Sequence, residues 1–294
     1  TKIDITAPII PTKMQWMDCE DCQHQFINGH FTDEALEVIF SKQPEEQVVG
    51  FEVEKQRILS ARIIEKILPF KSNGIWLDVG FGNGSLLFTA DEFGFEPIGV
   101  DLRKENVNIL QGVGIEAYCN LVQDIEFAKP ISVVSMMDVL EHIPFPKDVL
   151  ISLHSKMDED GCLLISCPNS ESWIWKFMTA KNGNTYFNTI EHYHNFSKTR
   201  LVSLLNECGF NIKQYGISGA VKCLILYFFE NDVSTNNMTD RGSVDQLRGN
   251  SLFINGHIGS EAKYLINIDK GQINVEAILC TIGFGFLRTK NHFC

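Results

Sequence analysis

The sequence predicts an α/β fold, a mostly parallel sheet covered by helices, on three observations. Strand-like and helix-like runs alternate from about residue 51 to about residue 215, the pattern of parallel strands joined by crossover helices. A strand at residues 75–79 runs directly into the glycine loop Gly80-Phe-Gly82-Asn-Gly84. A second strand, at residues 96–100, is followed at once by Asp101. Glycines permit dihedrals and a close backbone approach that a Cβ forbids. An acid closing the second strand of a βαβ unit is placed to accept hydrogen bonds from ribose hydroxyls. Loop and acid together point to a nucleoside cofactor.

The elements follow in order. Over residues 51–68 the apolar positions Ile58, Ile63 and Ile67 recur at helical spacing, and Pro69 stops the run ahead of the first strand. Residues 86–93 read as the first crossover helix, ended by Gly94. A strand at 131–137, a helix starting near Pro146, a strand at 163–167 and a helix at 198–208 continue the alternation. Ser197 is placed to cap that last helix and Gly209 to end it. Residues 169–196 form an insertion carrying Trp173, Trp175, Phe177, Tyr186 and Phe187. It follows the carboxyl end of a strand, where open α/β sheets bind ligands. Such an insertion is either a substrate lid or a helix packed against the sheet.

Composition narrows the class. With 294 residues, 44% of them hydrophobic, the chain can bury the core of one α/β domain plus appendages. A net charge of −12, without a lysine or arginine cluster, opposes nucleic-acid binding and favours a small-molecule acceptor. Nine scattered cysteines, an odd number, fit reduced thiols in a cytoplasmic protein. The longest apolar stretch, at 223–229, is far short of the roughly 20 residues that span a bilayer, and no signal-peptide pattern opens the chain.

Three segments are expected: an N-terminal appendage over 1–50, a cofactor-binding domain over 51–232 and a C-terminal extension over 233–294. The extension is rich in Asn and Gly, with strand-like runs at 252–255, 264–268 and 275–282. The turn signal Asn255-Gly256 suggests a small β appendage or an oligomer contact. The chain begins with Thr1 rather than Met, which points to processing or to a fragment. Near that end lies Cys19-Glu-Asp-Cys22, followed by His24. Cys19 and Cys22 can give two thiolates to zinc and His24 a third ligand, but a structural site needs four and no second knuckle is near. Two free cysteines in a turn beside Trp16 and Phe26 are the alternative.

Spacing separates the cofactor types. The dinucleotide fingerprint G-x-G-x-x-G needs glycine where Ser85 stands, and here the third glycine, Gly84, comes one position early. A carboxylate at Asp78 would repel a pyrophosphate, yet suits a ligand with an ammonium group or hydroxyls. S-adenosyl-L-methionine has both and lacks phosphate.

The loop Asp78-Val-Gly80-Phe-Gly82-Asn-Gly84 resembles the first motif of the class I S-adenosylmethionine-dependent methyltransferases. Later segments extend the likeness: Val133-Val-Ser-Met-Met-Asp-Val-Leu-Glu-His-Ile, Gly161-Cys-Leu-Leu-Ile-Ser-Cys-Pro-Asn, Glu191-His-Tyr-His-Asn-Phe-Ser and Leu204-Leu-Asn-Glu-Cys-Gly-Phe. In combination they resemble the branch containing the ubiquinone-biosynthesis O-methyltransferase, over roughly residues 53–217. The resemblance implies a Rossmann-like fold with a mostly parallel seven-stranded sheet and small appendages at both ends. It implies a cofactor held by Asp78, Gly80, Gly82, Gly84, Asp101 and Leu102, with Met137 and Asp138 lining the pocket. In several relatives an N-terminal element carries paired knuckles, of which residues 19–24 resemble the second half.

Methyl transfer from a sulfonium is an in-line displacement, so a base is needed only where the acceptor holds a proton. His142 is the leading candidate, because it follows the strand at 131–137 on the rim that carries the cofactor loop. Asp138, Glu141 and His142, at i, i+3 and i+4, would meet on one face of a helical turn and could hold a divalent metal. In the similar branch that motif is associated with a metal that orients acceptor hydroxyls. Glutamate is usual there where Asp138 stands, so the shorter side chain counts against a metal. His192 is the second catalytic candidate; His192 and His194, two apart, cannot share a helical face, so one is expected to be structural. Enzymes that methylate nucleobases carry Asn/Asp-Pro-Pro-aromatic where this chain has Asp138-Val-Leu-Glu141, which disfavours a nucleobase acceptor. The resemblance favours a hydroxyl of a sugar, phenol or quinol-like compound. Two rivals stay open: a non-catalytic binding module on the same fold, and an NAD-dependent oxidoreductase or epimerase.

Overall fold

The computed structural model describes residues 14–40, 44–218, 222–228, 251–257, 261–269 and 272–279. The chain divides into two compact units, Thr1–Ser234 and Thr235–Cys294. The first opens with a hairpin of β1 (Trp16–Asp18) and β2 (Gln25–Ile27), then α1 (Asp33–Phe40) and α2 (Val53–Ile67). The alternating part follows: β3 (Ile75–Val79), α3 (Ser85–Glu92), β4 (Glu96–Val100), α4 (Lys104–Gly112), β5 (Glu116–Tyr118) and β6 (Ile131–Met137). After these come α5 (Pro146–Lys156), β7 (Met157–Pro168), α6 (Trp173–Ala180), β8 (His194–Asn195), α7 (Lys198–Glu207), β9 (Asn211–Ser218) and β10 (Lys222–Phe228).

Seven of these strands form one sheet in the order β5-β4-β3-β6-β7-β10-β9. The run from β5 to β7 is parallel, and β10 pairs antiparallel with both β7 and β9. Strand order reverses at β3, which has β4 on one side and β6 on the other. The crevice above the carboxyl ends of these strands is where doubly wound sheets take their ligands.

Side-chain alternation on β3 explains the layers. Ile75, Leu77 and Val79 share one cluster with Val149, Leu150 and Leu153 of α5 and Leu201, Leu204 and Leu205 of α7. Trp76 faces the other way, among Ile64 and Ile67 of α2, Leu87 and Ala90 of α3, and Val107 and Leu110 of α4. With both faces covered, β6 is apolar over most of its length and buried from Ile131 to Met136. Each such fully buried aliphatic side chain contributes about 1.5–3 kcal/mol of burial.

Local chemistry sets the boundaries. α2 closes at Ile67, two residues before Pro69, and α5 begins with Pro146, whose missing N–H costs nothing in the first turn. Ser197 Oγ accepts from the N–H of Arg200 at 3.0 Å to cap α7, and Gly209 beyond it takes φ +90°. β7 is longer than the predicted 163–167, because its start pairs with β6 (Ile131 opposite Met157) and residues 162–168 pair with β10.

A small second sheet of order β1-β2-β8 ties the N-terminal hairpin to the end of the aromatic insertion. In the second unit, β11 (Ser251–His257), β12 (Glu261–Asp269) and β13 (Gln272–Leu279) form an antiparallel sheet. Asn255-Gly256, expected as a turn, lies inside β11 opposite Lys263 and Ala262, where continuous ladder pairing overrides the local turn preference. The predicted strand at 275–282 ends at Leu279, and its last three positions lie outside the described residues.

Candidate active site

All three loop glycines adopt left-handed backbone, with φ of +71° at Gly80, +53° at Gly82 and +77° at Gly84. Gly80 N–H donates to Val100 O at 2.7 Å, which fastens the end of β3 to the end of β4. A Cβ on Gly80 would stand 2.6 Å from Val139 Cγ2, whereas one on Gly82 would meet nothing within 4 Å. The backbone at Gly82 therefore borders open space into which a ligand can press.

The loop is braced by residues the sequence did not single out. Asn106, fully buried in α4, donates through Nδ2 to Gly82 O at 3.2 Å and to Gln47 O at 2.8 Å. Asn83 Nδ2 donates to Phe51 O at 2.9 Å, and Gly50 N–H donates back to Asn83 O at 3.0 Å. The segment before α2 is thereby stitched onto the glycine loop. An asparagine beside Val107 on the apolar side of a helix was the one sequence signal for this.

Two acids close the loop from the strand ends. Asp78 is buried, with its Oδ1 accepting from Ser135 Oγ at 2.6 Å. Burial pushes its pKa up to about 7; the Ser135 hydrogen bond opposes the shift and the nearby Asp101 charge adds to it. Asp101 is also buried, and its Oδ1 accepts from the N–H of Arg103 at 2.8 Å. Its Oδ2 has no hydrogen-bond partner among the described residues, with the Arg103 guanidinium 3.6 Å away. Burial raises the Asp101 pKa against the pull of Arg103. A buried carboxylate oxygen without a donor is costly unless a ligand supplies one, and vicinal ribose hydroxyls are such donors. The residues present thus fit the nucleoside part of S-adenosylmethionine. Leu102 is half exposed next to Asp101, and its carbonyl accepts from Cys119 Sγ at 3.5 Å.

Beyond β6 the chain departs from the predicted helical turn. Asp138 itself takes a left-handed φ of +56°, and only Leu140–His142 form a short 3-10 turn. Asp138, Glu141 and His142 therefore do not share one helical face. Asp138 N–H donates to Ser166 O at 2.9 Å, and Ser166 Oγ donates to Asp138 Oδ1 at 3.2 Å. Strained backbone held by hydrogen bonds is often found at functional sites. Met137, half-buried at the end of β6, borders the same rim.

The third member of the acid–histidine group comes from elsewhere in the chain. Ligand atoms of Glu141, His142 and His192 lie within 4.8 Å of one another, and this is the one such His/Cys/Asp/Glu group among the described residues. The two imidazoles meet edge to face at 4.6 Å. His142 Nδ1 lies 2.9 Å from Glu191 O. A carbonyl only accepts, so Nδ1 carries the hydrogen and Nε2 of the neutral ring keeps its lone pair. Burial lowers the His142 pKa, which favours that neutral form, while Glu191 and Asp138 pull in the opposite direction.

His194 turns the other way. Its Nδ1 lies 3.0 Å from His24 Nε2 and its Nε2 lies 3.3 Å from Pro144 O. Of the pair two apart, His192 joins the acid–histidine group and His194 joins the N-terminal hairpin. In the insertion Trp175 is buried against Tyr186 at 5.0 Å and Phe187 at 5.8 Å, and Tyr186 stacks on His192 at 5.9 Å. Trp173 and Phe177 of the same helix are half exposed, so α6 has both a packed and an open face.

Cys19 and Cys22 sit at the tip of the β1–β2 hairpin, and no third ligand gathers with them among the described residues. His24, the expected third ligand, faces inward between Phe26 and Phe196 instead. A separate hollow of about 400 Å³, lined by Ile75, Glu96, Glu116 and Phe127, opens at the amino ends of β3 to β5. It is remote from the glycine loop, and none of the predicted site residues lines it. Among the described residues no helix is long and apolar enough to cross a membrane.

Residues 53–215 match the family model of the methyltransferase domain. The ubiquinone biosynthesis O-methyltransferase of Idiomarina loihiensis is 28% identical over 116 residues, 36% of this chain and 48% of that protein. Its counterpart in Chromobacterium violaceum is 31% identical over 101 residues, 32% of this chain and 44% of that protein. The chain thus spans about half the length of the curated relatives it matches. Among solved structures, a Burkholderia thailandensis 1,6-didemethyltoxoflavin-N1-methyltransferase superposes with a TM-score of 0.50 at 17% identity, covering 74% of this chain and all of that one. That structure holds 1,6-didemethyltoxoflavin and S-adenosylhomocysteine. The chain belongs to the methyltransferase-domain family and has the Rossmann-like class I fold whose cofactor is S-adenosylmethionine.

Proposed function

We propose that this protein transfers a methyl group from S-adenosylmethionine to a hydroxyl of a small molecule, a sugar, phenol or quinol-like acceptor. The observation that carries the cofactor half is the buried Oδ2 of Asp101, which has no hydrogen-bond donor among the described residues and only the Arg103 guanidinium at 3.6 Å, beside the open space at Gly82. When bound, S-adenosylmethionine supplies an electrophilic methyl on a sulfonium. Asp101 accepts from the ribose hydroxyls, Gly82 lets the backbone approach, and Asp78 faces the ammonium end. His142 takes the acceptor proton on Nε2, with Nδ1 anchored on the Glu191 carbonyl so that the ring cannot turn away. The half-exposed Trp173 and Phe177 on the open face of α6 offer apolar surface for a planar acceptor. The hydroxyl preference is supported by the O-methyltransferase names of the two relatives.

Glu141, His142 and His192 also fit a divalent cation, being one buried carboxylate and two imidazoles whose ligand atoms lie within 4.8 Å of one another. There the cation would bind the acceptor oxygen, and His142 would act as ligand rather than base. Metal analysis of the purified chain, before and after chelation, separates the two roles.

Calorimetric titration with S-adenosylhomocysteine, with NAD in parallel, tests the cofactor. Micromolar binding of the former alone is expected, and binding of NAD alone overturns the proposal. A screen of phenolic, catecholic and sugar hydroxyls with radiolabelled methyl donor then tests the acceptor class.

A further inference from the structure

The glycine loop and Asp101 are both fastened to the first turn of α4. Asp101 Oδ1 accepts at 2.8 Å from the N–H of Arg103, the residue just before that helix. Three residues on, the fully buried Asn106 donates through Nδ2 to Gly82 O at 3.2 Å and to Gln47 O at 2.8 Å. Carbonyls only accept, so both N–H donors of one amide group serve main chain from two separate segments. In a trans peptide the carbonyl and the following N–H point in opposite directions. With Gly82 O drawn towards Asn106, the Asn83 N–H is turned away from α4. Asn83 completes the clamp. Its Nδ2 donates to Phe51 O at 2.9 Å, its carbonyl accepts from Gly50 N–H at 3.0 Å, and its Oδ1 accepts at 3.1 Å from the N–H of Ser85, the first residue of α3. Residues 47–51 are thereby held against the loop at both ends, by Asn106 at Gln47 and by Asn83 at Gly50 and Phe51.

We propose, resting on the cofactor assignment above and not on the acceptor, that Asn106 is a positioning residue for S-adenosylmethionine and couples cofactor binding to the order of residues 47–51. It touches no reacting atom. It holds Gly82 at a fixed spacing from Asp101, because the bond to Gly82 and the bond to Asp101 both start from one helical turn. Gly80, Gly82 and Gly84 all lie in left-handed backbone, and glycine has little conformational preference of its own, so the shape of the loop has to be imposed by its surroundings. A loop already held in its binding shape gives up less conformational freedom when the ligand arrives. Through Gln47 O the same amide group ties that shape to the segment ahead of α2, so a ligand that tightens the loop also tightens residues 47–51.

The test is calorimetric titration of the full chain with S-adenosylhomocysteine, comparing the unaltered protein with Asn106→Leu and Asn106→Asp. Each variant is first shown to be folded by near-ultraviolet circular dichroism and is titrated well below its melting temperature. Leucine keeps much of the volume and loses both donors, while aspartate keeps the shape and sets acceptor against acceptor. Both are expected to bind about tenfold more weakly or worse, since two buried carbonyls lose their donor. Unchanged affinity in the folded variants reduces Asn106 to a structural role and overturns the proposal. A second measurement needs no variant: exchange of the Gly50 amide, which reports its bond to Asn83 O, is expected to slow when the unaltered chain is saturated with S-adenosylhomocysteine. Unchanged Gly50 exchange in the saturated protein overturns the coupling. Failure of the unaltered chain to bind at all overturns the cofactor assignment itself, and the role of Asn106 with it.

Discussion

Ser135 Oγ donates to Asp78 Oδ1 at 2.6 Å while it accepts from the indole N–H of Trp76 at 2.9 Å. The indole N–H can only donate, so Ser135 accepts from Trp76 and keeps its own proton available for the acid. The chain Trp76–Ser135–Asp78 runs from the core to the lip of the glycine loop, through residues that are all buried.

Asp78 makes stability depend on pH. Its folded pKa is about 7 against an ordinary 3.8, so the native state holds a proton that the unfolded chain has lost. Stability from this group is fully present below pH 3.8 and is lost as pH rises through about 7. The difference is on the order of 4 kcal/mol. Asp78→Asn should flatten the melting temperature between pH 5 and pH 8 relative to the unaltered chain. Identical pH slopes in the two proteins would contradict it.

Asp101→Ala removes both the partner of the Arg103 N–H and the acceptor proposed above for ribose. Hydrogen bonds to a charged group are worth about 1.5–3 kcal/mol, so S-adenosylhomocysteine affinity should fall by at least about tenfold. Calorimetry on the folded variant checks this, and normal affinity would place the ribose elsewhere.

Gly80→Ala forces a methyl to 2.6 Å from Val139 Cγ2 in left-handed backbone. The strain and overpacking should cost about 2–4 kcal/mol. Adding Val139→Ala should return the overpacking part. If the double variant melts no higher than Gly80→Ala, the contact with Val139 is not the cause.

His142→Ala should leave S-adenosylhomocysteine binding near normal and lower turnover about 100-fold to 10,000-fold. Because burial lowers its pKa, the acid limb of the rate profile in the unaltered enzyme should fall below pH 6.5. An acid limb above that value would point to another base.

His24 works in the opposite pH direction from Asp78. Burial, then the neighbouring His194 and Arg200, lower its pKa from 6.5 to about 3, so its contribution is complete above pH 6.5 and is lost as pH falls towards 3. After correction for the intrinsic pH dependence of amide exchange, the protection factors of the β2 amides should fall on acidification from pH 7 to pH 5, and His24→Gln should blunt that fall. An equal fall in both proteins would assign the effect elsewhere.

Much of the site's scaffold was legible because it rests on local chemistry. The ends of β3, β4 and β6, the start of α5 at Pro146 and the Ser197 cap follow from apolar runs, ring constraints and side-chain capping. The grouping around His142 was not. Asp138 lies close by in sequence, yet its backbone turns left-handed and its carboxyl engages Ser166. The partner that joins Glu141 and His142 is His192, brought in by the insertion's return and by the Tyr193 N–H bond to Glu141 O at 2.8 Å. Asn106 was passed over because burial of a helix polar group depends on what packs against it.

The sequence by itself determined β3, β4, β6 and the core of β7, the glycine loop and the two acids at the strand ends, since periodicity and glycine placement act over a few residues, whereas β5, β9 and β10 emerged only from their pairing in the sheet. Tertiary structure alone decided which histidine meets Glu141 and His142, that Asp78 keeps its proton to about pH 7, and that His24 turns from the cysteines to His194. Those outcomes depend on desolvation and on contacts between residues far apart in the chain, which no local pattern encodes.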